Sequence, residues 1–184
     1  MIKSLRTFVA TLMTLVSALA LLVLGPAGTA SAGVLDVTCI PPSSNTATYN
    51  PPLTMTPQNG TLAVTAQYGP CVSLSNPALT SGSSAGTTPV SGRSCFDLLQ
   101  SGTPAFTITW NTGQTSTVSA NRISTIVGAA LVVTSTGTVT SGLFAGSAVV
   151  QVVTSPAADV LLCTAGLGTV SSTYALMTLE ITSL

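Results

Sequence analysis

From residue 33 onward the chain alternates apolar and polar residues with a period of two, and no stretch has the periodicity of an amphipathic helix. The clearest alternation is in "TLAVTAQY" (61–68), "AFTITW" (105–110) and "AVVQVVT" (148–154), which are separated by clusters of Gly, Pro, Asn and Ser. Successive side chains of a strand point to opposite faces of a sheet, so this pattern indicates short, half-buried strands joined by turns. The sequence therefore predicts an all-β domain without helices.

The alternation also predicts which side chains face the core. Phe106, Ile108 and Trp110 share one face of their strand, which places Trp110 in the interior. The segment "STYALMTLEITS" (172–183) predicts a long, docked C-terminal strand. Its inward residues are Ala175, Met177, Leu179 and Ile181, and its outward residues are Tyr174, Thr178 and Glu180. About eight or nine such segments favour one β-sandwich of immunoglobulin-like or related Greek-key type, with a closed barrel as the second choice.

The N-terminus has the order of features that is typical of a secretory signal peptide. Lys3 and Arg6 precede a long apolar run, which leads to small residues at 30–32. We therefore interpret residues 1–32 as a cleaved signal peptide and residues 33–184 as a single domain. The expected product is secreted and extracellular, without membrane attachment after cleavage.

Charge is scarce in the predicted mature chain. Its charged residues are Arg93, Arg122, Asp36, Asp97, Asp159 and Glu180, a formal charge of −2, and the whole chain contains no histidine. Two arginines cannot form the basic patch that nucleic acid or an anionic membrane requires. Because the chain has no histidine, and no lysine after residue 32, the Ser–His–Asp, Cys–His and Ser–Lys catalytic arrangements are excluded. The four carboxylates have no spacing typical of a calcium loop or a catalytic acid pair. We expect no enzymatic activity, no cofactor and no metal.

The four cysteines are Cys39, Cys71, Cys95 and Cys163. An even number in an exported chain indicates two disulfides rather than metal ligands, and three pairings are open. If the strands alternate up and down, Cys71 and Cys95 lie at one end of the domain, and Cys39 and Cys163 lie at the other. We therefore predict the pairs Cys71–Cys95 and Cys39–Cys163.

Two residues are candidates for contact with a partner. Tyr49 lies in the proline-rich stretch between Ile40 and Gly60, which we interpret as an edge strand or a surface crossover because proline cannot donate to a β-ladder. Arg93 ends the segment "SGSSAGTTPVSGRS" (81–94), where it is the basic residue that a trypsin-like protease would engage in a flexible loop.

The stretch "GTVTSGLFAG" (137–146) has the glycine spacing of a phosphate-binding loop. Leu143 and Phe144, however, stand where such a loop needs Lys and Ser or Thr, and a strand rather than a helix should follow. The stretch therefore predicts a β-hairpin that turns at Ser141-Gly142, with Phe144 packed on the core.

A resemblance rests on several of these motifs together: "TYNPPLT" (48–54), "YGPCVSLSNPALTSG" (68–82), "WNTGQTS" (110–116) and "GTVTSGLFAG", with the four cysteines. In this combination the chain resembles small exported β-proteins of actinomycetes such as Streptomyces. The resemblance implies export from such a host, and it carries no assigned activity and no site residue. Antitumour chromoprotein carriers of the same bacteria are similar in size and in having two disulfides on an immunoglobulin-like fold, which is a likeness of fold alone.

Three functions stay open. The first is a secreted, non-enzymatic module that binds another extracellular or envelope protein or serves as a structural part, with self-association left open. Strands without edge lysines favour it, and an edge near the proline-rich stretch or the C-terminal strand would accept a partner's strand. The second is an inhibitor, or an adaptor subunit of a secreted toxin assembly. The third is a carrier of a small ligand.

Overall fold

The computed structural model describes residues 34–183, so the predicted signal peptide, its cleavage point and Gly33 lie outside the described residues. The described chain contains ten strands, one 3₁₀ helix (Cys95–Leu99) and one short α-helix, α1 (Ala158–Thr164). The strands are β1 (Leu35–Cys39), β2 (Ser44–Leu53), β3 (Gln58–Tyr68), β4 (Cys71–Ser73), β5 (Gly82–Arg93), β6 (Ala105–Trp110), β7 (Thr115–Val127), β8 (Ala130–Gly142), β9 (Ala148–Pro156) and β10 (Val170–Thr182).

The prediction of an all-β domain is confirmed, but the expectation of no helices is wrong. Both helices are single short segments in connections between strands, and their apolar residues cover the end of the sheet structure rather than forming a layer of their own. Within residues 34–183 no helix is long and apolar enough to span a membrane.

The prediction of a β-sandwich, immunoglobulin-like or otherwise, is wrong. The antiparallel strands follow the order β2-β3-β5-β6-β7-β8-β9-β10, and β10 pairs back onto β2, which closes an eight-stranded barrel. Inward and outward residues alternate along the strands of a sandwich and of a barrel alike. What distinguishes them here is the pairing of β2 with β10, two strands from opposite ends of the chain, and no local pattern encodes that contact.

The strand β10 has two different partners along one of its edges. Its first half, from Val170 to Leu176, pairs with β2, and its last residues, from Leu179 to Thr182, pair with β1. On its other side β1 pairs with the short β4. The predicted burial of β10 is confirmed: Ala175, Met177, Leu179 and Ile181 are buried, whereas Tyr174 and Glu180 are exposed.

The proline-rich stretch is not the predicted edge or crossover, because β2 has partners on both sides, β3 and β10. Its prolines avoid the ladders instead. Pro51 and Pro52 lie beyond the last β3 pair, Asn50–Thr61, and within a bulge where the β10 ladder is interrupted. A bulge leaves residues unpaired, so the missing N–H groups of the prolines cost the barrel no hydrogen bond.

Both predicted disulfide pairings are wrong. The structure has Cys39–Cys71 and Cys95–Cys163. Cys39 and Cys71 lie directly opposite each other in the β1–β4 ladder, and the other two cysteines lie on the two helices. The argument from strand parity failed because it assumed regular up-and-down strands. It could not anticipate that β1 and β4 are neighbours, or that helices carry Cys95 and Cys163.

The hairpin predicted in "GTVTSGLFAG" is confirmed, and it joins β8 to β9. Its turn begins at Leu143, two residues later than predicted, because β8 continues to Gly142. Gly142 has a φ of 86° and packs so closely on β7 that a Cβ would overlap the carbonyl oxygen of Thr115. Phe144 adopts a φ of 66° and packs edge-on against Trp110, with ring centroids 6.2 Å apart.

The apolar core is divided between the two ends of the barrel. The larger cluster surrounds Trp110 and includes Tyr68 and Leu179, and Trp110 itself is buried as predicted. At the other end Leu53 and Val170 pack around Cys95–Cys163, and α1 packs with Leu131. The middle of the barrel, between these clusters, holds the candidate site.

Candidate functional site: a cavity in the barrel

The middle of the barrel encloses a cavity of about 590 Å³. It exists because the inward positions at this level are small: Ala47, Ala66 and Ala175 on β2, β3 and β10, and Gly86 on β5 all border it. An eight-stranded barrel is just wide enough for large side chains to fill it or for one small ligand to occupy it. Short side chains in the middle layer therefore leave space that larger residues would have filled.

Most of the cavity wall is apolar. Leu62 and Val64 of β3 lie on one side, Val133 and Val153 of β8 and β9 lie on another, and Phe106 of β6 completes the ring. These residues are half-buried although they face inward, because they border the open space, and Phe106 and Val153 also pack against the cluster around Trp110. Such a surface favours an apolar occupant.

The end of the cavity near Trp110 carries a buried polar pair. The Tyr68 hydroxyl donates a hydrogen bond to Oε1 of Gln151, 3.1 Å away, across the barrel from β3 to β9. Burial raises the pKa of Tyr68 above its usual value, which keeps this hydroxyl protonated. Ser135, the β8 partner of Gln151, is also buried and borders the cavity.

A second polar group lies nearer the helical end and consists of Arg122 and Tyr49. Arg122 continues the inward face of β7 after Val118 and Ala120, and its side chain borders the cavity. Its Nε atom is buried and has no hydrogen-bond partner, and Nη2 donates one long bond of 3.4 Å to the carbonyl oxygen of Gln100. The guanidinium lies over Gly102, where a Cβ would be 3.8 Å from Nη2.

Tyr49 is not the exposed surface residue that we predicted. It is half-buried, has the same inward orientation as Ala47 two residues before it, and borders the cavity. Burial raises the pKa of Tyr49, while the positive charges of Arg122 and Arg93 act in the opposite direction. Its inward orientation follows from β2 being a full barrel strand with the usual alternation.

Arg93 lies at the end of β5 and forms an ion pair with Asp97, with 3.6 Å between Nη1 and Oδ1. The side chains of Arg93 and Asp97 are 41% and 31% exposed, so the pair is a surface interaction worth little stability. Arg93 and Tyr49 border one shallow depression of about 10 Å³, which is too small for a ligand. The predicted flexible loop at 81–94 is instead β5, paired with β3 along most of its length.

The cavity opens sideways through the barrel wall between β5 and β6. These two strands pair only at Gly82–Trp110 and Ser83–Thr109, so within residues 34–183 β5 has no strand partner on this side beyond Ser83. Ala85 and Thr107 are exposed and both border the cavity, although their neighbours Ser84 and Phe106 face inward. The cavity therefore continues through the gap to solvent.

The helical end of the cavity is closed by a covalent brace. Leu98 of the 3₁₀ helix borders the cavity from this end, and Cys95 of the same helix is bonded to Cys163 of α1. The 3₁₀ helix begins at a capping box in which the Ser94 backbone N–H donates to Oδ2 of Asp97, 2.7 Å away. The cap is therefore fixed by a disulfide and by local hydrogen bonds.

Three of the polar cavity residues, Arg122, Gln151 and Tyr68, were not candidates from the sequence. A signal for them was present, because each occupies an inward position of an alternating strand: Arg122 follows Val118 and Ala120, and Gln151 stands between Val149 and Val153. Among residues 34–183 no cluster of three or more His, Cys, Asp or Glu residues is placed to hold a metal ion. Comparisons of the chain with protein-family models, with curated proteins and with solved structures found no match.

Proposed function

We propose that the protein binds a small, mainly apolar molecule inside its barrel. The observation that carries this proposal is the cavity of about 590 Å³, which falls within the range of about 300–1,000 Å³ typical of small-molecule sites. It combines an apolar wall with a few polar groups, and the gap between β5 and β6 offers a route of entry. This corresponds to the third of the functions that the sequence left open.

The proposal also accounts for the stabilisation that the fold loses by leaving its lumen unfilled. Filling the lumen with larger apolar side chains would remove more apolar surface from water, so small residues at Ala47, Ala66 and Ala175 forgo stabilisation of about 25 cal/mol per Å². A bound apolar molecule restores that burial, and it stabilises the folded state in proportion to its concentration and affinity.

The test is to block the cavity in residues 33–184 with both disulfides formed. Val64→Trp places an indole in the lumen, whereas Thr65→Trp, one residue along the same strand, places it on the exposed outer face. Nile red, a neutral apolar dye, reports binding by its fluorescence. We expect wild type and Thr65→Trp to bind the dye with equal affinity and Val64→Trp to bind it at least tenfold more weakly.

Two results would contradict the proposal. One is a wild-type protein that binds no Nile red, and the other is equal binding by Val64→Trp and wild type. Thermal unfolding of each variant without dye identifies a Val64→Trp protein that has failed to fold. In that case Val153→Trp, which fills the same cavity from β9, replaces it, with Thr154→Trp as its exposed control.

A second proposal is that the protein pairs with a strand of another protein, in the simplest case a second copy of itself. The observation that favours it is the edge of β5 beyond Ser83, which has β3 on one side and, among the residues that the structure describes, no strand partner on the other. No charged residue lies between Ser83 and Gly92 to discourage such pairing, and Pro89 is the single interruption. The edges near β2 and β10, which we expected to be free, are paired with each other.

Light scattering after size-exclusion chromatography tests pairing between copies. Ala85 and Thr87 are exposed residues on the free edge, and Ala85→Lys/Thr87→Lys places two like charges there. We expect the wild type to associate and the double variant to be monomeric. A wild type that stays monomeric at high concentration would contradict pairing between copies and leave ligand binding unaffected.

A further inference from the structure

Arg122 is half-buried, and one of its guanidinium nitrogens is removed from water with no counter-charge among residues 34–183. Its side chain borders the cavity, its Nε atom is buried without a partner in the described part of the chain, and its Nη2 atom donates a long, solvent-exposed hydrogen bond of 3.4 Å to the Gln100 carbonyl oxygen. A guanidinium is always charged, and desolvating it without compensation is costly. Buried arginines are therefore normally paired with carboxylates.

None of the acidic residues between 34 and 183 provides that pairing. In this part of the chain the only ion pair joins Arg93 to Asp97, which is on the surface. Asp36 lies at the other end of the barrel, where it accepts a hydrogen bond from Ser147, 3.3 Å away, and Glu180 faces outward on β10. The protein thus places a cation beside an apolar cavity and supplies no anion for it.

Tyr49 is placed to assist in binding an anion at this point. It borders the same cavity from β2, and Arg122 is the charged group that acts most strongly on its phenol. A neutral phenol donates one hydrogen bond, and a guanidinium donates two parallel bonds that match the two oxygens of a carboxylate. The rest of the cavity, with Val64, Val133 and Val153, suits an apolar body.

We propose that the ligand is a monocarboxylate with an apolar body, with its carboxylate bound by Arg122 and Tyr49 and its body in the lumen. This inference rests on the proposed function, because it names the class of molecule that the same cavity takes. At the opposite end of the cavity, Tyr68 and Gln151 already bond to each other. Among the described residues that border the cavity, Arg122 therefore carries the one charge that has no counter-charge.

The test uses displacement of Nile red by dodecanoic acid and by dodecan-1-ol, which share a chain length and differ in charge. For wild type we expect the acid to bind at least tenfold more tightly than the alcohol at pH 7. Arg122→Met should weaken the acid by about tenfold to a hundredfold, the effect of losing hydrogen bonds to a charged group, and should thereby abolish the preference for the acid over the alcohol. Tyr49→Phe should weaken the acid by a smaller factor.

The control is Arg93→Met, which removes the other arginine of the described chain, outside the cavity, and should preserve the preference for the acid. Arg122→Met should also raise the unfolding temperature of the ligand-free protein slightly, because it removes a half-buried cation whose Nε atom has no partner among the described residues. If Arg122→Met does not fold, Arg122→Lys replaces it and should lose most of the preference, since lysine lacks the planar fork.

Failure of this inference is distinguishable from failure of the proposed function. If wild type binds Nile red and Val64→Trp does not, the cavity binds ligands. A wild type that then shows no preference for the acid, or an Arg122→Met variant that keeps it, would overturn the carboxylate proposal alone. If wild type binds neither dye, acid nor alcohol, both proposals are wrong.

Discussion

The packed end of the barrel depends on one hydroxyl group, that of Ser116, and its removal is a direct test of the structure. Ser116 is fully buried on β7. Its Oγ accepts a hydrogen bond from the Trp110 indole Nε1, 2.8 Å away, and donates one to the carbonyl oxygen of Leu143, 2.6 Å away. The hydroxyl thereby connects β6, β7 and the hairpin that follows β8.

Ser116→Ala leaves the buried indole N–H of Trp110 without its partner and removes the hydrogen bond to the half-buried Leu143 carbonyl oxygen. An orphaned buried donor or acceptor costs about 1–3 kcal/mol, and partial relaxation of the turn recovers some of that cost. We therefore expect the variant to lose about 2–4 kcal/mol of unfolding free energy. The nearby Ser119→Ala, on the same strand but exposed, should change it by less than about 0.5 kcal/mol.

Urea unfolding followed by tryptophan fluorescence measures this loss, and Trp110 is the single tryptophan of the chain. The signal therefore reports the affected site without interference from a second indole. The dependence of the free energy on urea should not change, since the surface exposed on unfolding is the same. A Ser116→Ala variant within about 1 kcal/mol of wild type would refute the conclusion that the Trp110 indole N–H is buried and depends on Ser116 for its hydrogen bond.

Two further predictions concern packing and the covalent brace. A Cβ at Gly82 would lie 2.7 Å from Cε3 of Trp110, so Gly82→Ala should destabilise the protein by about 1–3 kcal/mol through overpacking. Gly86→Ala is the control: it lies on the same strand, a Cβ there would have no atom within 4 Å, and it should be neutral or slightly stabilising. Urea unfolding of both variants measures the difference in stability. Replacing Cys95 and Cys163 with alanine opens a loop of 68 residues and should lower the free energy of unfolding by about 4 kcal/mol by the chain-entropy relation. Differential scanning calorimetry would measure this loss, and an unchanged unfolding temperature would contradict it.

The sequence was sufficient for local structure because strand alternation is a local property. It predicted the inward residues of β6 and β10, the burial of Trp110 and the hairpin at Phe144, all of which the structure confirms. Properties that depend on contacts between distant parts of the chain were predicted wrongly, namely the barrel closure and both disulfides. Tyr49 belongs to the second group, because its inward orientation depends on β2 having neighbours on both sides.

The residues that define the candidate site are those that depart from the usual pattern of large apolar side chains inside a barrel. Inward positions of a strand should be large and apolar, yet here Ala47, Ala66 and Ala175 are too small to fill the lumen, and Arg122 and Gln151 are polar. The small residues cost apolar burial and Arg122 costs desolvation, so a fold selected for stability alone would have neither. Because these departures meet in one cavity and not at scattered positions, a ligand with an apolar body and an anionic group accounts for both costs together.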